Sequence, residues 1–312
     1  MTDVWPELPY AAWKDTCATL QLWTQVVGKV RLALTPWLNH SWHVTLRVSA
    51  RGLSTPLISG DGHDFQIEFD FLDHVLWIRT AEGHVRQLML RPMPVAEFYG
   101  ELLHCLAQLG IAPPIDKTPN ELPEAIPFDE DTVHRDYDKE YAQRFWRVLL
   151  RTHEVFSHFR TGFLGKASPV HFFWGSFDLA VTRFSGRPAP LHPGGVPHLA
   201  DAVVREAYSH QVSSAGFWPG GGPIEYAAFY SYAYPAPDGF ALAQVKPAEA
   251  FFSSELGEFI LPYDAVRTAS DPKQVLMDFL ESTYAAAADL ARWDRSALEC
   301  SLGRIGVPRP VV

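Results

Sequence analysis

Alternation of apolar and polar residues is the feature that most restricts the fold of this 312-residue chain. From Trp42 to Ala50 every second residue is apolar, and polar or charged residues stand between them. Because successive side chains of a β-strand point to opposite faces, this pattern predicts a strand with one buried face. The segments Phe65 to Phe71, Val75 to Thr80 and Val85 to Leu90 follow, separated by short turns. We therefore expect an antiparallel sheet in the first part of the chain.

Helical spacing of apolar residues occurs on both sides of these strands. The segment Ala11 to Val27 has this spacing and is predicted to be a helix that ends at Gly28. The next residues, Lys29 to Leu34, are predicted to form a strand. An amphipathic helix from Val95 to Leu109 completes the first half.

A segment rich in proline and acidic residues follows at positions 112–131, with five prolines and no apolar periodicity. Such a composition is typical of a linker. We therefore divide the chain into a first α+β half at residues 1–111, this linker, and a second α+β half at residues 132–312.

The second half repeats the order of elements, with a long Pro/Gly-rich insertion after the first strand. We predict a helix from Asp138 to Phe159, a strand from His171 to Phe184, a strand within Phe252 to Tyr263, and a long helix from Asp271 to Trp293. Trp and Arg also recur at the same spacing in both halves, at Trp42/Arg51 and Trp174/Arg183. The predicted fold class is α+β, with two loosely similar halves, each an antiparallel sheet flanked by helices, which indicates an internal duplication.

Composition restricts the partners of the chain. Apolar residues make up 47% of the sequence and charged residues 20%, so the chain can bury a core. The net charge of −10 argues against nucleic acid and membrane as partners, because both attract basic surfaces. The three cysteines are widely spaced, and the first nine residues lack the pattern of a secretion signal. We expect a cytoplasmic protein.

Asp178 is the first candidate for a functional residue. In the strand from His171 to Phe184 it shares a face with Trp174, Ser176, Ala180 and Thr182, whereas the opposite face is apolar. A carboxylate among aromatic residues must find partners or change its pKa. The alternative is a structural role, in which Asp178 pairs with Arg183 or caps a nearby loop.

A second candidate is the segment from Leu199 to Ser209 together with His210. If the segment is a helix, Glu206 and His210 are four residues apart and lie on one side, where they could share a proton or bind a metal. His171, at the start of the Asp178 strand, could complete a His/carboxylate site for a divalent metal. The alternative is a solvated helix end.

A tyrosine-rich segment between Ile224 and Tyr234 is the third candidate. As a strand it places Tyr226, Tyr230, Tyr232 and Tyr234 on one face. Such a face can line a pocket, form a protein interface or remain half-exposed. The residues expected to bind a substrate are Trp174, Arg183, Tyr208, Trp218 and Tyr230.

Several segments resemble a bacterial family known only as a domain of unknown function. They are Trp5-Pro6-Glu7-Leu8-Pro9, Pro36-Trp37-Leu38-Asn39-His40-Ser41-Trp42, His171-Phe172-Phe173-Trp174-Gly175-Ser176-Phe177-Asp178-Leu179 and Glu206-Ala207-Tyr208-Ser209-His210. The resemblance covers nearly the whole chain. It implies a stand-alone cytoplasmic protein and brings no activity, cofactor or catalytic residue.

Three functions remain open from the sequence. The first is a small-molecule enzyme in which Asp178, Glu206 and His210 act in acid/base or metal-assisted chemistry inside an aromatic pocket. The second is a protein that binds a small molecule in the same pocket without catalysis. The third is an interaction module that uses the tyrosine-rich face, which requires that this face be exposed and flat.

Overall fold

The computed structural model describes residues 4–60 and 62–309. Within these residues the chain forms seven α-helices. They are α1 (Tyr10–Leu34), α2 (Val95–Ala107), α3 (Lys139–Arg160), α4 (Asp201–Ala207), α5 (Tyr263–Arg267), α6 (Pro272–Leu290) and α7 (Arg295–Leu298). Of the helices described, none is long and apolar enough to cross a membrane.

Twelve strands of the described chain form two antiparallel sheets of six strands each. The first sheet contains β1 (Arg47–Val48), β2 (Gly52–Ser54), β3 (Ile58–Gly60), β4 (His63–Asp70), β5 (Val75–Thr80) and β6 (Val85–Met89). The second contains β7 (His171–Phe173), β8 (Asp178–Pro188), β9 (His210–Trp218), β10 (Ala228–Tyr234), β11 (Phe251–Ser253) and β12 (Glu258–Pro262). The predicted α+β class with two sheet-containing halves is confirmed.

The order of strands differs between the sheets. In the first the order is β1-β2-β4-β5-β6, with β3 also paired to β4; in the second it is β11-β12-β10-β9-β8-β7. Helices α3 and α6 pack on one face of the second sheet, where Phe156 of α3 meets Phe229 of β10. The opposite face of the second sheet is therefore left to other parts of the chain.

The two sheets meet edge to edge. Leu46 and Phe172 exchange two backbone hydrogen bonds of 2.9 Å, which joins the segment before β1 to β7. One cluster of buried apolar residues runs through both halves and includes Trp23 of α1 and Phe145 of α3. Residues 112–138 contain neither helix nor strand. The division into residues 1–111, 112–131 and 132–312 stays a prediction.

Helix caps explain why the long helices begin where the sequence predicts. The Asp138 side chain accepts hydrogen bonds from the backbone N–H groups of Glu140 and Tyr141 at the start of α3. Asp271 caps α6 in the same way, with Pro272 in its first turn. Both predicted helices are confirmed to within a few residues.

The predicted strand from Lys29 to Leu34 is wrong, because α1 continues without a break to Leu34. Gly28 does not end the helix. A Cβ atom at this position would lie 2.2 Å from Nε1 of Trp174, so the glycine lets an indole from the second half pack directly against the helix. Lys29 is buried and its Nζ donates to the carbonyl of Thr118.

The predicted strand from Trp42 to Ala50 is mostly wrong. Residues Asn39–Ser41 form a short 3-10 helix, with His40 and Ser41 at positive φ, and regular pairing begins only at Arg47. The alternation failed as a predictor because this segment is covered on both sides: His43 and Thr45, on the face predicted to be polar, are buried. Arg31 of α1 donates to the carbonyl of His43.

The predicted strand from His171 to Phe184 is a hairpin, in which residues 174–177 turn between β7 and β8. Trp174 and Trp42 therefore both lie in turns that precede strands. The internal duplication stays a prediction.

Candidate functional site

A cavity of about 860 Å³ lies against the face of the second sheet that α3 and α6 leave uncovered. Side chains that alternate along β8, β9, β10 and β12 form its floor. They are Asp178, Thr182, Ser214, Tyr230, Tyr232 and Glu258. The volume falls in the range of small-molecule sites, which are concave and mostly apolar with a few polar groups.

Four separate parts of the chain cover this floor. The first half of α1 contributes Tyr10 and Gln21, and the segment 37–44 contributes aromatic residues at the other end. Residues 120–123 and the stretch from 196 to 208, which includes α4, complete the wall. Backbone and side-chain bonds join these pieces: the N–H of Glu121 donates to the carbonyl of Pro197 at 2.9 Å, and Gln21 Nε2 donates to the carbonyl of Gly175 at 2.7 Å.

Asp178 lies at the start of β8 and is only 6% exposed. Its carboxylate accepts a hydrogen bond from the hydroxyl of Tyr230. Burial, together with the charge of the nearby Glu121, raises the pKa of Asp178 to about 7, against the opposing effect of the Tyr230 hydrogen bond. This carboxyl group can therefore gain or lose a proton near neutral pH.

Two further carboxyl groups line the cavity. Burial, and then the charge of Asp178, raise the pKa of Glu258 to about 7. Burial also raises the pKa of Glu121, although the hydroxyl of Ser176, which donates to it at 2.6 Å, favours the ionised form. Three carboxyl groups with raised pKa values thus face one cavity.

Phenol groups connect the floor to the wall. The hydroxyls of Tyr208 and Tyr232 are hydrogen-bonded at 2.9 Å, and the rings of Tyr230 and Tyr232 are stacked with centroids 6.1 Å apart. The imidazole of His192 stacks on the ring of Tyr208 at 4.7 Å. These contacts fix Tyr208, Tyr230 and Tyr232, which are half-buried and therefore do not form an exposed flat face. Tyr226, also predicted on this face, precedes β10 and is exposed.

Gly216 is required by the position of Tyr230. The two residues are paired across β9 and β10, and a Cβ atom on Gly216 would lie 2.3 Å from the Tyr230 hydroxyl oxygen. The phenol ring therefore lies across the strand at this glycine, which brings its hydroxyl to Asp178.

Strained backbone is concentrated at the cavity. Among the described residues, seven non-glycine residues have positive φ, and four of them line the cavity: His40, Ser41, Glu121 and Phe177. Such conformations cost free energy and cluster at functional sites. Their concentration supports a functional role for the cavity.

The end of the cavity away from Asp178 has a different character. His40 Nδ1 bonds the carbonyl of Ala207 at 2.9 Å, and Nζ of Lys166 bonds Nε2 at 2.7 Å. Burial lowers the pKa of His40, so this imidazole is neutral at pH 7. Lys166 also lies over the rings of Trp42 and Phe184. Its ammonium group already has partners at this end.

The structure brings five of the predicted site residues to the cavity and leaves four outside its lining. Those that line it are Trp174, Asp178, Tyr208, Trp218 and Tyr230; those that do not are His171, Arg183, Glu206 and His210. The roles assigned to these residues stay predictions. The contacts of the residues outside the lining are as follows.

Arg183 lies on the opposite, helix-covered face of β8. Its guanidinium stacks on Phe159 with 3.4 Å to the ring centroid, donates to the carbonyl of the same residue at 2.5 Å, and reaches Glu281 at 3.4 Å. It therefore does not anchor Asp178, which the sequence offered as one of its roles.

Glu206 and His210 are not neighbours on a helix, because α4 ends at Ala207 and His210 begins β9. Glu206 accepts a 2.5 Å hydrogen bond from Nε1 of Trp37. His171 is fully buried and bonds Thr45 Oγ1 through Nδ1 at 3.3 Å. In the part of the chain that the structure describes, no group of three or more His, Cys, Asp or Glu side chains is arranged to hold a metal ion.

Two acidic residues of the cavity, Glu121 and Glu258, were missed by reasoning from the sequence, whereas Tyr232 belonged to the tyrosine-rich face that could line a pocket. Glu258 had little signal, because it is the first residue of β12 and is followed by the apolar run Phe259-Ile260-Leu261, which shows no alternation. Glu121 had none, since its segment shows no periodicity and reaches the cavity only through tertiary contacts.

A family model described as "Family of unknown function (DUF5996)" matches residues 5–300. The chain belongs to this family. The match extends over both halves, so the cavity walls from α1 to β12 all lie within the family region. Comparisons with curated proteins and with solved structures give no match.

Proposed function

We propose that the protein is an enzyme that acts on a small molecule bound in the cavity, with Asp178 as the group that exchanges a proton with the substrate. One observation carries this proposal: Asp178 is buried in the floor of a cavity of about 860 Å³, is oriented by Tyr230, and has a pKa raised to about 7. A general acid or base works best when its pKa lies near the working pH.

Glu258 supplies a second proton-exchanging group. Because its pKa is also raised to about 7, each of the two carboxyls is partly protonated at neutral pH. A site with one protonated and one ionised carboxyl can give a proton to one substrate atom and take a proton from another. The residues that would orient the substrate are Trp174, Tyr208, Trp218, Tyr230 and Tyr232.

The second candidate function is binding without catalysis, and the size of the aromatic lining favours it as the alternative. Both functions use the same cavity, and they differ in what Asp178 does. In a binding protein the carboxyl only contacts the ligand, whereas in an enzyme its proton transfer contributes typically about 10²- to 10⁴-fold to the rate.

The test uses a screen for turnover. Wild-type protein and Asp178→Asn are incubated with mixtures of small metabolites, and consumption is followed by mass spectrometry. We expect wild type to consume a substrate, with a rate at least about a hundredfold lower for Asp178→Asn. Asp238→Asn, at an exposed position, is the matched control.

Two results would count against the enzyme. If Asp178→Asn turns over the substrate as fast as wild type, Asp178 is not the proton-exchanging group. If a ligand raises the unfolding midpoint of wild type but is recovered unchanged after long incubation, the binding function is favoured.

We also propose the cytoplasm as the compartment, which the three unpaired cysteines support.

A further inference from the structure

The cavity is unbalanced in charge. Three carboxyl groups line it, those of Glu121, Asp178 and Glu258, and of the described residues in the lining none is Lys or Arg. Within residues 4–60 and 62–309, none of the three carboxylates forms an ion pair. Lys166, beside the far end, is already held by His40 and by aromatic rings.

The three carboxyl groups line the same cavity and influence one another's pKa values, although they come from distant parts of the chain. The charge of Glu121 raises the pKa of Asp178, the charge of Asp178 raises the pKa of Glu258, and all three charges raise the pKa of Tyr208. Glu121 reaches this space through the hydroxyl of Ser176, in the turn just before Asp178. The carboxyls therefore surround one part of the cavity.

Other buried carboxylates of this chain show what a structural role requires. Asp70, 1% exposed, accepts hydrogen bonds from Arg51 and from the N–H groups of Leu72 and Asp73. Asp131, also 1% exposed, is bonded by His134 and by two backbone N–H groups. Asp178 has the hydroxyl of Tyr230 and no cation. It is buried as deeply as a structural carboxylate but is not neutralised like one.

Aromatic faces accompany the carboxyls. Tyr230 and Tyr232 form a stacked pair beside Asp178, and Trp218 lines the cavity at the end of β9. The electron-rich faces of Trp and Tyr attract cations, and their area also buries an apolar group. Carboxylates combined with such faces are suited to a cationic head on an apolar body.

We infer that the ligand of this cavity is a small organic cation, an amine or guanidine on an apolar or aromatic body, whose charge is placed among Glu121, Asp178 and Glu258. The inference rests on the proposed function, because it assigns a ligand class to the same cavity. A bound cation would neutralise carboxylates that the protein itself leaves without a counter-charge.

Cation binding must be linked to protons. Besides Asp178, the titratable groups that line the cavity are Tyr10 and Cys17 of α1, His40, Glu121, Tyr208, Tyr230 and Tyr232 of β10, and Glu258 of β12. The pKa values of Asp178 and Glu258 are raised to about 7, so both groups change charge near neutral pH. Because a cation favours their ionised forms, its binding releases protons, and its affinity rises with pH until both groups are ionised.

The test uses sets of probes that share a body and differ in charge. They are phenethylamine, 2-phenylethanol and phenylacetate; tryptamine, tryptophol and indole-3-acetate; and hexylamine, hexanol and hexanoate. Methyl β-glucoside is added because carboxylates and tryptophans also bind neutral sugars. Binding is measured by calorimetry at pH 6 and pH 8, in buffers of different ionisation enthalpy so that released protons are counted.

We expect at least one amine to bind at pH 8 at least about tenfold more tightly than its alcohol, which corresponds to one favourable charge interaction. Its affinity should increase about tenfold from pH 6 to pH 8 for each carboxyl that must ionise, with proton release. An alcohol, a carboxylate or the glucoside that binds as tightly as every amine would overturn the inference, as would the absence of binding by all the amines.

Variants of the carboxyl residues test where the charged group of a bound amine lies. Asp178→Asn and Glu258→Gln should each weaken amine binding at pH 8 about tenfold or more and leave alcohol binding unchanged. Glu255→Gln, at an exposed position three residues before Glu258, should change neither. Unchanged amine affinity in both variants, each shown by circular dichroism to be folded, would overturn the inference.

Failure of the inference and failure of the proposed function give different results. If the glucoside or an alcohol binds and Asp178→Asn abolishes turnover of a related compound, the enzyme stands and the cationic ligand is wrong. If amines bind as expected but no cationic compound is consumed, the ligand class stands and catalysis is wrong.

Discussion

Side chains alternate between the two faces in both sheets of this molecule, but the polar face of each sheet has different surroundings. On the first sheet, Phe65 and Ile67 of β4 are buried while Gln66, between them, is exposed. On the outward face, Arg79 bonds Glu68 at 3.0 Å and lies over Trp77, in contact with water. The pair of Glu68 and Arg79 on this face is partly solvated, and such pairs contribute little to stability.

On the second sheet both faces are covered. Helices α3 and α6 pack on one face, and the other is closed over by α1, the segment 120–123 and α4, with a cavity left between. The polar residues of that face, Asp178 among them, are therefore removed from water without being packed against apolar atoms. The comparison shows that a polar side chain on a sheet can take a functional role when other segments cover that face but leave a cavity above the side chain.

The largest expected effect is a difference in stability between variants of two arginines, Arg183 and Arg79. Arg183→Ala should destabilise the protein by about 3–5 kcal/mol, because a buried guanidinium between Phe159 and Tyr284 is lost. Arg79→Ala, on the solvated face of the first sheet, should cost no more than about 1 kcal/mol. Urea unfolding at pH 7 measures both, and equal effects would contradict the distinction between the covered and the open face.

Most of the strands and helices in this comparison could be predicted from the sequence. Strands β4, β5 and β6 were predictable because their outward face is solvated, so alternation reports burial directly. Helices α3 and α6 were predictable from their apolar stripes and their Asp caps. In the site, the placement of Asp178 opposite the apolar face of its strand followed from the same reasoning, since the Val181 and Arg183 side of β8 faces the helices.

The remainder could not be predicted because it depends on contacts between distant segments. Gly28 has the local appearance of a helix end, and only the indole of Trp174 shows why a glycine is needed inside α1. Glu121 belongs to a segment without periodicity, and it becomes part of the cavity through Ser176 and Pro197. Short-range patterns carry no information about such pairs.

The next effect concerns pH. The pKa of Asp178 is raised from 3.8 to about 7, so between pH 4 and pH 7 the folded state binds more protons than the unfolded state. Stability should therefore fall as pH rises through this window and stay level above it. Asp178→Asn should be more stable than wild type at pH 8 by on the order of 4 kcal/mol and should gain little at pH 4.

Guanidinium unfolding at a series of pH values measures this dependence. Asp238→Asn, at an exposed position, is the matched control. A stability of Asp178→Asn that follows wild type at every pH would show that the carboxyl is not held in a poorly solvated place.

A smaller effect is expected at Gly216. Gly216→Ala places a methyl group in contact with the Tyr230 ring, and the resulting displacement should cost about 1–3 kcal/mol. Moving this phenol also removes the hydrogen bond to Asp178, so binding of any ligand of the cavity should weaken. Gly100→Ala in α2, where a Cβ atom meets nothing within 4 Å, should instead be neutral or slightly stabilising. Thermal unfolding compares the two, and a neutral Gly216→Ala would contradict the close approach.

The smallest expected effect tests the hydrogen bond itself. Tyr230→Phe keeps the ring above Gly216 and removes the hydroxyl that favours the ionised form of Asp178. The pKa of Asp178 should therefore rise further, and the fall in stability with pH should extend to higher pH. The cost at pH 5, where Asp178 is protonated in the folded state, should be about 1 kcal/mol, as for a neutral hydrogen bond.

The control is Tyr99→Phe, at a tyrosine of the first half that packs against Phe128, and it should leave the pH profile in place. Carboxyl titration followed by infrared difference spectroscopy reads the shift directly, and a titration at lower pH than in wild type would mean that the Tyr230 hydroxyl acts on Asp178 in the opposite sense.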